Sequence, residues 1–112
     1  MGLVVEVREP RFEVRLTWLG DCAWLALDGE LDIATADAAY AQLEAVRGAA
    51  ELTIDLRRLT FMDASGLRLL LNARRYGPVV RVVRGPRCVQ RVVELAAFEG
   101  RVEFVDGEPA PC

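Results

Sequence analysis

The segment from Leu52 to Leu71 limits the possible folds most strongly, because it combines a strand, a tight loop and the start of a helix. Apolar residues alternate from Leu52 to Leu56, which is the pattern of a half-buried strand. Asp63 then stands where a helix N-cap is expected, and its carboxylate can accept from the backbone N–H of Ser65 or Gly66. The Ser65 hydroxyl is therefore predicted to lie in the first turn of a helix that follows a strand.

The helix after Ser65 is predicted to be amphipathic. Two sets at helical spacing define its faces: an apolar set, Leu67, Leu70 and Leu71, and a polar set, Arg68, Asn72 and Arg75. We expect the helix to end at Tyr76, because Gly77 and Pro78 follow. Gly66 costs about 1 kcal/mol against alanine inside a helix. We expect that its missing side chain lets another protein approach the Ser65 hydroxyl.

Length and hydropathy are those of one folded domain. The chain has 112 residues, and the 53% that are hydrophobic are spread evenly, which favours a packed core over disorder. No apolar run approaches the ~20 residues of a membrane span, and the start lacks the basic and apolar regions of a secretory signal. We expect a single cytoplasmic domain over residues 1–112 with no membrane contact.

The chain has neither histidine nor lysine, which removes most catalytic chemistry. A Ser-His-Asp triad, a Cys-His pair, histidine metal ligands and a lysine Schiff base are all impossible. The cysteines are too few and too far apart for a zinc motif. Net charge is −3 and the arginines are scattered among acids, whereas nucleic-acid binding needs a one-sided basic surface. We expect a binding module that is not an enzyme, holds no metal or cofactor and binds no nucleic acid.

The apolar pattern along the chain predicts an α/β fold. Strands at Phe12–Trp18 and Trp24–Leu27 are predicted to form an antiparallel hairpin through a Gly20-Asp21 turn, after a short strand or strand extension at Leu3–Val7. Helix and strand then alternate three times. The first helix has an apolar face at Ala36, Tyr40, Leu43 and Val46 and ends at Gly48, the second follows Ser65, and the third has an apolar face at Val89, Val92, Val93 and Ala96 and ends at Gly100. The strands after these helices are predicted at Leu52–Leu56, Val79–Val83 and Arg101–Val105. Right-handed crossovers make the later strands parallel. The prediction is a mixed sheet of four to five strands with about three α-helices, a core over about residues 12–105 and a loose tail at 106–112.

Three carboxylates lie close together in Asp28-Gly29-Glu30-Leu31-Asp32. The segment reads as a solvated, glycine-containing bend followed by a helix N-cap, which is either Asp32 or Thr35. Paired acids can also bind a metal ion or perform acid–base chemistry. Without a second acidic cluster nearby in the sequence, the loop interpretation is favoured.

Several of these segments together resemble a STAS domain. The resemblance lies in Gly29–Asp32, Ile54–Leu56, Phe61–Leu67 and Val92–Ala96, and it extends from about Phe12 to Val105. The likeness is greatest to the stand-alone bacterial anti-sigma factor antagonists. Asp-x-Ser-Gly-Leu between a strand and a helix is its most specific motif.

The resemblance implies a partner switch controlled by phosphorylation. In this family, the serine at the position of Ser65 is phosphorylated by a protein that is both a serine kinase and an anti-sigma factor. The unphosphorylated antagonist binds that kinase and frees a sigma factor, and a serine phosphatase resets the switch. ATP and magnesium would belong to the kinase, so this chain needs no cofactor.

The resemblance also implies a set of partner-binding residues, and a protein that offers one face to a partner needs no second copy. These residues are Asp28, Glu30, Asp32, Asp63, Ser65, Gly66, Leu67 and Arg68. A monomer is expected, with a weak dimer as the alternative. The chain departs from the family at its proline-containing tail, where relatives often have a further helix, and at Ala64, where relatives often have a hydroxyl.

Two other functions remain open from the sequence. The first is a STAS module that is not phosphorylated and acts as an accessory subunit of a transporter or as a scaffold in a signalling complex. The second is an enzyme or metal protein. In the adaptor, Asp63 and Ser65 would act only as helix cap and contact surface.

Overall fold

The computed structural model describes residues 2–76, 79–95 and 103–106. Its elements are β1 (Gly2–Glu9), β2 (Phe12–Leu19), β3 (Cys22–Leu31), α1 (Ala36–Ala45), β4 (Glu51–Met62), α2 (Ala64–Asn72), β5 (Val80–Val83), α3 (Arg87–Leu95) and β6 (Glu103–Val105). A short 3-10 turn, Ala73–Arg75, continues α2. The predicted α/β class is confirmed.

The strands follow one another in the sheet in the same order as in the chain. β1, β2 and β3 are antiparallel neighbours, and β3, β4, β5 and β6 are parallel neighbours. The predicted hairpin is confirmed, since β2 pairs with β3 from Leu19 opposite Cys22 to Phe12 opposite Gly29. Helical crossovers join the parallel strands, as predicted, so the carboxyl ends of β3 and β4 meet at one end of the sheet.

Alternate residues of the strands form one buried apolar face, which the helices cover. The cluster joins strand residues such as Val14, Leu16, Leu25, Leu27, Ile54 and Leu56 to helix residues such as Leu43, Leu69, Leu70, Val89 and Val93. The other face of the sheet is more polar, because charged residues such as Glu13 and Arg15 lie on it together with Trp24 and Ala26. There the buried Asp55 pairs with Arg57 at 2.7 Å. This two-sided pattern is what period-two alternation specifies.

The described part of the chain has six strands, whereas the sequence predicted four to five. The difference lies at the amino terminus, where β1 pairs with β2 at each position from Gly2 to Glu9. Pro10 does not interrupt this strand, because it lies in the turn that follows. Val7 packs against the core, so packing extends beyond Phe12, the predicted start of the core.

The predicted apolar face of α2 is right at Leu70, which is buried, and at Leu67, which packs against the core, but it is wrong at Leu71. The buried residues of α2 and of the turn after it are Gly66, Leu69, Leu70 and Ala73, whereas Leu71 is exposed. Asn72, assigned to the polar face, is half-buried and donates to the Tyr40 hydroxyl at 3.1 Å. Four leucines lie close together in this helix, so leucine spacing alone could not choose between neighbouring registers.

Some predictions concern residues outside those that the structure describes. They are the helix stop at Gly77 and Pro78, the helix end at Gly100, and residues 107–112 of the predicted tail. Asp106, the first residue of that tail, is described and pairs with Arg84 at 3.0 Å.

Candidate functional site

Two loops lie side by side at the carboxyl end of the sheet. Leu31 and Met62, the last residues of β3 and β4, are partners in the parallel ladder. The backbone N–H of Asp63 donates to the Leu31 carbonyl at 3.3 Å, which extends the contact past the strands. The Asp32 loop (residues 32–35) leads into α1 and the Ser65 loop (residues 63–65) leads into α2. The sheet therefore holds the two loops next to each other.

Asp63 caps α2 as predicted. Its backbone is extended, and its carboxylate accepts from the backbone N–H of Ser65 at 2.8 Å. The alternative left open by the sequence, Gly66, bonds instead to the Asp63 backbone carbonyl at 3.1 Å. The cap gives a hydrogen-bond acceptor to one N–H group of the first turn that has no partner inside the helix, and it fixes the backbone of Ser65.

Ser65 is the only serine in the 112 residues. Its side chain is half-exposed, and among the residues that the structure describes its hydroxyl has no hydrogen-bond partner. Another hydroxyl near this end of the sheet, that of Thr60, donates to the Gly29 carbonyl at 3.1 Å. Ser65 thus presents an accessible hydroxyl on a rigid, capped helix start.

Gly66 has a different role from the predicted one. It is buried, and a Cβ at this position would lie 2.5 Å from the Cγ of Met62 and 3.0 Å from a methyl group of Leu31. The missing side chain therefore lets α2 pack closely on the ends of β3 and β4. The interpretation that the glycine opens an approach to Ser65 is wrong, since this residue faces the core.

The segment Asp28–Asp32 is not the predicted bend. Asp28 to Leu31 continue β3, and register shifts at Ala26/Asp28 and Gly29/Glu30 accommodate the glycine. Gly29 is required there because a Cβ would lie 2.1 Å from the carbonyl oxygen of Arg11, in the turn between β1 and β2. A positive φ of 98° at Gly29 also favours glycine.

The three carboxylates of this segment have separate local partners. Asp28 faces Arg58 at 3.9 Å, and Glu30 faces Arg11 at 3.7 Å. Asp32 accepts from the backbone N–H of Thr35 at 3.1 Å and so belongs to the Asp32 loop. Within the described ranges, no group of three or more carboxylates or cysteines could hold a metal ion.

The sequence left either Asp32 or Thr35 as the N-cap of α1, and both residues take part in the turn that precedes this helix. Thr35 occupies the N-cap position, but its hydroxyl makes no capping bond to α1. It donates to the Glu30 carbonyl at 2.8 Å and accepts from the backbone N–H of Asp32 at 3.0 Å. The Asp32 carboxylate in turn accepts from Ala34 at 2.9 Å as well as from Thr35. This reciprocal arrangement stabilises the whole Asp32 loop.

Leu67 and Arg68 follow Ser65 on opposite sides of α2. Leu67 is half-buried and packs against the core, so its main contacts are internal. Arg68 is exposed and makes no ion pair with any other described residue. It lies three positions after Ser65, which is the spacing of side chains that share a helix face.

Two exposed apolar side chains at this end of the sheet were not predicted. Ile33, inside the Asp32 loop, is 82% exposed, and Phe61, next to the last residue of β4, is 47% exposed. Two large exposed apolar side chains at the end of the sheet that carries the helix caps make this end a candidate contact surface.

The fold and the site define a small α/β domain with a capped serine loop, and the chain belongs to the STAS domain family. A family model described as "Mlab, STAS domain" matches residues 14–106. No curated protein sequence matches the chain. No helix in the described part of the chain has the length and apolar character needed to cross a membrane.

Solved structures of anti-sigma factor antagonists share the fold. One from Mycobacterium paratuberculosis is 18% identical, with a TM-score of 0.69 over 96% of this chain and 87% of that one. The antagonist SpoIIAA in its unphosphorylated form is 17% identical, with a TM-score of 0.67 over 95% of this chain and 89% of that one. SpoIIAA of Bacillus in the phosphorylated form is 16% identical, with a TM-score of 0.61 over 95% of this chain and 92% of that one.

Proposed function

We propose that this protein is an anti-sigma factor antagonist whose binding to its partner is controlled by phosphorylation of Ser65. The observation that supports it most is the Ser65 hydroxyl, which is accessible and unbonded within the described residues at the start of a capped helix. The partner is an anti-sigma factor that is also a serine kinase, and a serine phosphatase reverses the modification. The protein itself is a cytoplasmic binding module with no catalytic role.

A phosphate on Ser65 can be accommodated without unfolding the domain. It adds about −1.5 to −2 charges and three acceptor oxygens, and the start of a helix favours negative charge by about 0.3–1 kcal/mol. Asp63 opposes this as a nearby like charge. Arg68, exposed on the same side of α2 and not otherwise paired within the described ranges, can offset that repulsion.

The same phosphate is unfavourable at an interface. Ile33 is a large exposed apolar side chain in the Asp32 loop, which the pairing of Leu31 with Met62 holds beside the Ser65 loop, so one partner can cover both loops. Desolvating an unpaired phosphate costs several kcal/mol. A loss of about 4 kcal/mol weakens binding about a thousandfold. One modification can thus abolish the complex and leave the fold intact.

Residues at the carboxyl end of the sheet would supply the contacts. Asp63, Ser65 and Arg68 keep the roles that the family resemblance implies, while Gly66 and Leu67 support the surface from within. Asp28, Glu30 and Asp32 contribute mainly by shaping β3 and the Asp32 loop. Ile33 and Phe61 are added to the surface as its apolar part.

The test is phosphorylation by the kinases of the native host. Each candidate anti-sigma factor kinase is incubated with the protein, ATP and Mg²⁺, and modification is mapped by mass spectrometry. We expect one phosphate, on Ser65, and none in Ser65→Ala, which should still bind the kinase that modifies the natural protein.

Other outcomes of this test have clear meanings. Modification at a threonine in place of Ser65 would contradict the assignment of the acceptor. Stable binding of a partner without phosphorylation by any kinase, in vitro or in protein purified from the host, would favour the adaptor function instead.

A further inference from the structure

β1 is a long edge strand with one side unpaired. It is the first strand in the sheet order, so β2 is its only neighbour among the described strands. It has eight residues and pairs with β2 without a register shift. The opposite edge strand, β6, covers three of the described residues. A long, regular edge offers a row of backbone N–H and C=O groups to another strand.

The side chains of β1 do little to prevent such pairing. Val4 is 51% exposed and Val5 is 38% exposed, and as consecutive residues they lie on opposite faces of the sheet. Pro10 lies beyond the strand, in the turn. Edge strands of monomeric proteins are commonly shortened, bulged or charged at their centre. β1 carries two exposed valines near its centre, beside Glu6, whose charge is paired with Arg15 of β2.

We propose that β1 pairs antiparallel with β1 of a second copy of this chain, so that two sheets join across a two-fold axis. Residues directly opposite in an antiparallel pair point to the same face of the sheet. With a two-fold axis perpendicular to the sheet, one residue must therefore lie directly opposite its own copy, and the axis passes midway between the two. Only four residues near the centre of the strand can take that position: Val4, Val5, Glu6 and Val7.

Length and charge select Val5. Axes at Val4 or Val7 leave shorter paired segments than axes at Val5 or Glu6, since β1 ends at Gly2 and Glu9. An axis at Glu6 places two carboxylates opposite each other, which is destabilising. A hydrogen bond from Arg15 lowers the pKa of Glu6, so this carboxylate is charged at neutral pH. An axis at Val5 places two exposed valines opposite each other and pairs Gly2 to Arg8.

This pairing leaves the Ser65 loop open. β2 and β3 lie between β1 and β4, the strand that leads into that loop. A dimer would therefore present two copies of the carboxyl end of the sheet, each accessible to a partner. The proposal does not depend on the function assigned to Ser65, because it concerns only the edge of the sheet formed by β1.

The experiment is sedimentation equilibrium of the full chain from micromolar to millimolar concentration. We expect a reversible dimer that Val5→Glu weakens about tenfold or more, because two like charges then lie opposite each other. Val79→Glu is the matched control: Val79 is also 38% exposed, lies before β5 and should leave the dimer unchanged. An equimolar mixture of Val5→Glu and Val5→Lys should restore association, since the opposed side chains then attract.

A second measurement locates the contact. Amide hydrogen exchange of the outward-facing half of β1 should slow as protein concentration rises, while the amides of β5 stay unchanged. A natural chain that remains monomeric at millimolar concentration would overturn the proposal. So would a dimer that Val5→Glu and Val79→Glu weaken equally, or one that the mixed variants do not restore.

Discussion

The Asp32 loop and the Ser65 loop have the same plan and opposite uses. Each follows one of two paired parallel strands, begins with an aspartate whose carboxylate accepts from a backbone N–H two residues further on, and contains a hydroxyl residue. The Thr35 hydroxyl is buried and bonded on both sides, to Glu30 and Asp32. The Ser65 hydroxyl is half-exposed and, in the described part of the chain, unbonded. The first hydroxyl supports the structure, while the second is available for chemistry.

This difference shows how neighbouring copies of one local motif can divide two tasks. The Asp32 loop is fixed by several bonds and presents Ile33 as an exposed apolar contact. The Ser65 loop has one cap bond and places an acceptor hydroxyl beside that contact. A partner that covers both loops would be bound through the first and controlled through the second.

The largest expected effect is on the Ser65 loop. Ser65→Asp should weaken binding of the partner kinase by up to about a thousandfold, or about 4 kcal/mol, because a charge is then buried at the interface. Ser65→Asn has a similar size and no charge, so it should bind within about tenfold of the natural protein. Calorimetry with the purified kinase measures both. Equal affinities for the two variants would contradict a switch operated by charge.

The next effect concerns the contact in the Asp32 loop. Ile33→Ser should weaken partner binding by about 2 kcal/mol, the size typical of an apolar residue at the centre of an interface. Its thermal stability should change little, because the side chain is 82% exposed. Val79→Ser, also at an exposed apolar residue but elsewhere, is the control and should bind normally. If both variants bind alike, the Asp32 loop lies outside the interface.

A stability comparison tests the two hydroxyls directly. Thr35→Val should lower the free energy of unfolding by about 1–3 kcal/mol, because it leaves buried polar groups of Glu30 and Asp32 without their partner. Ser65→Ala should change it by less than about 0.5 kcal/mol. Urea denaturation followed by circular dichroism measures both values. A larger loss in Ser65→Ala than in Thr35→Val would reverse the assigned roles.

The residue after each hydroxyl also differs, since Ala36 follows Thr35 and Gly66 follows Ser65. Gly66→Ala should destabilise the protein by about 1 kcal/mol: crowding against Met62 costs about 1–3 kcal/mol and better helix propensity returns about 1. In a Met62→Ala background the same change should be neutral or stabilising. Denaturation of the natural protein, the two single variants and the double variant gives the coupling free energy between Gly66 and Met62. A coupling of zero would show that the contact with Met62 does not determine the cost of Gly66→Ala.

The smallest expected effect concerns Arg68. In the protein phosphorylated on Ser65, Arg68→Ala should raise the second pKa of the phosphate, because it removes a positive charge worth about 0.3–0.5 kcal/mol at this spacing. Arg75→Ala, at an exposed arginine further along, is the control. Phosphorus NMR titrations measure the change. A larger rise in the Arg75 variant would show that Arg68 does not face the phosphate.

Local patterns in the sequence were sufficient for most of the fold and for the Asp63 cap. Alternation predicted the hairpin from β2 to β3, and the strand–loop–helix segment predicted where Ser65 lies. The register of α2 was not predictable, because its buried residue Leu69 has leucines directly after it, and only contact with the sheet decides which of them turn inward.

Features that depend on contacts distant in the sequence were missed. The need for Gly66 arises from Met62 and Leu31, and the need for Gly29 arises from Arg11. Asp28 to Leu31 look like a bend because glycine and carboxylates favour turns, but pairing with β4 keeps them extended. Phe61 is exposed although the next residue, Met62, is buried against α2, because successive strand residues point to opposite faces of the sheet.

The buried hydroxyl of Thr35 has a consequence for any kinase that acts on this end of the sheet. Folding buries Thr35 and engages Thr60 with the Gly29 carbonyl, so Ser65 alone carries an unbonded hydroxyl among the described residues at this end of the sheet. Selectivity for one residue would then reside in the substrate's tertiary structure, and the enzyme would need no preference for the surrounding sequence. Peptides cut from these loops would lose that discrimination, although they keep every residue of the motif.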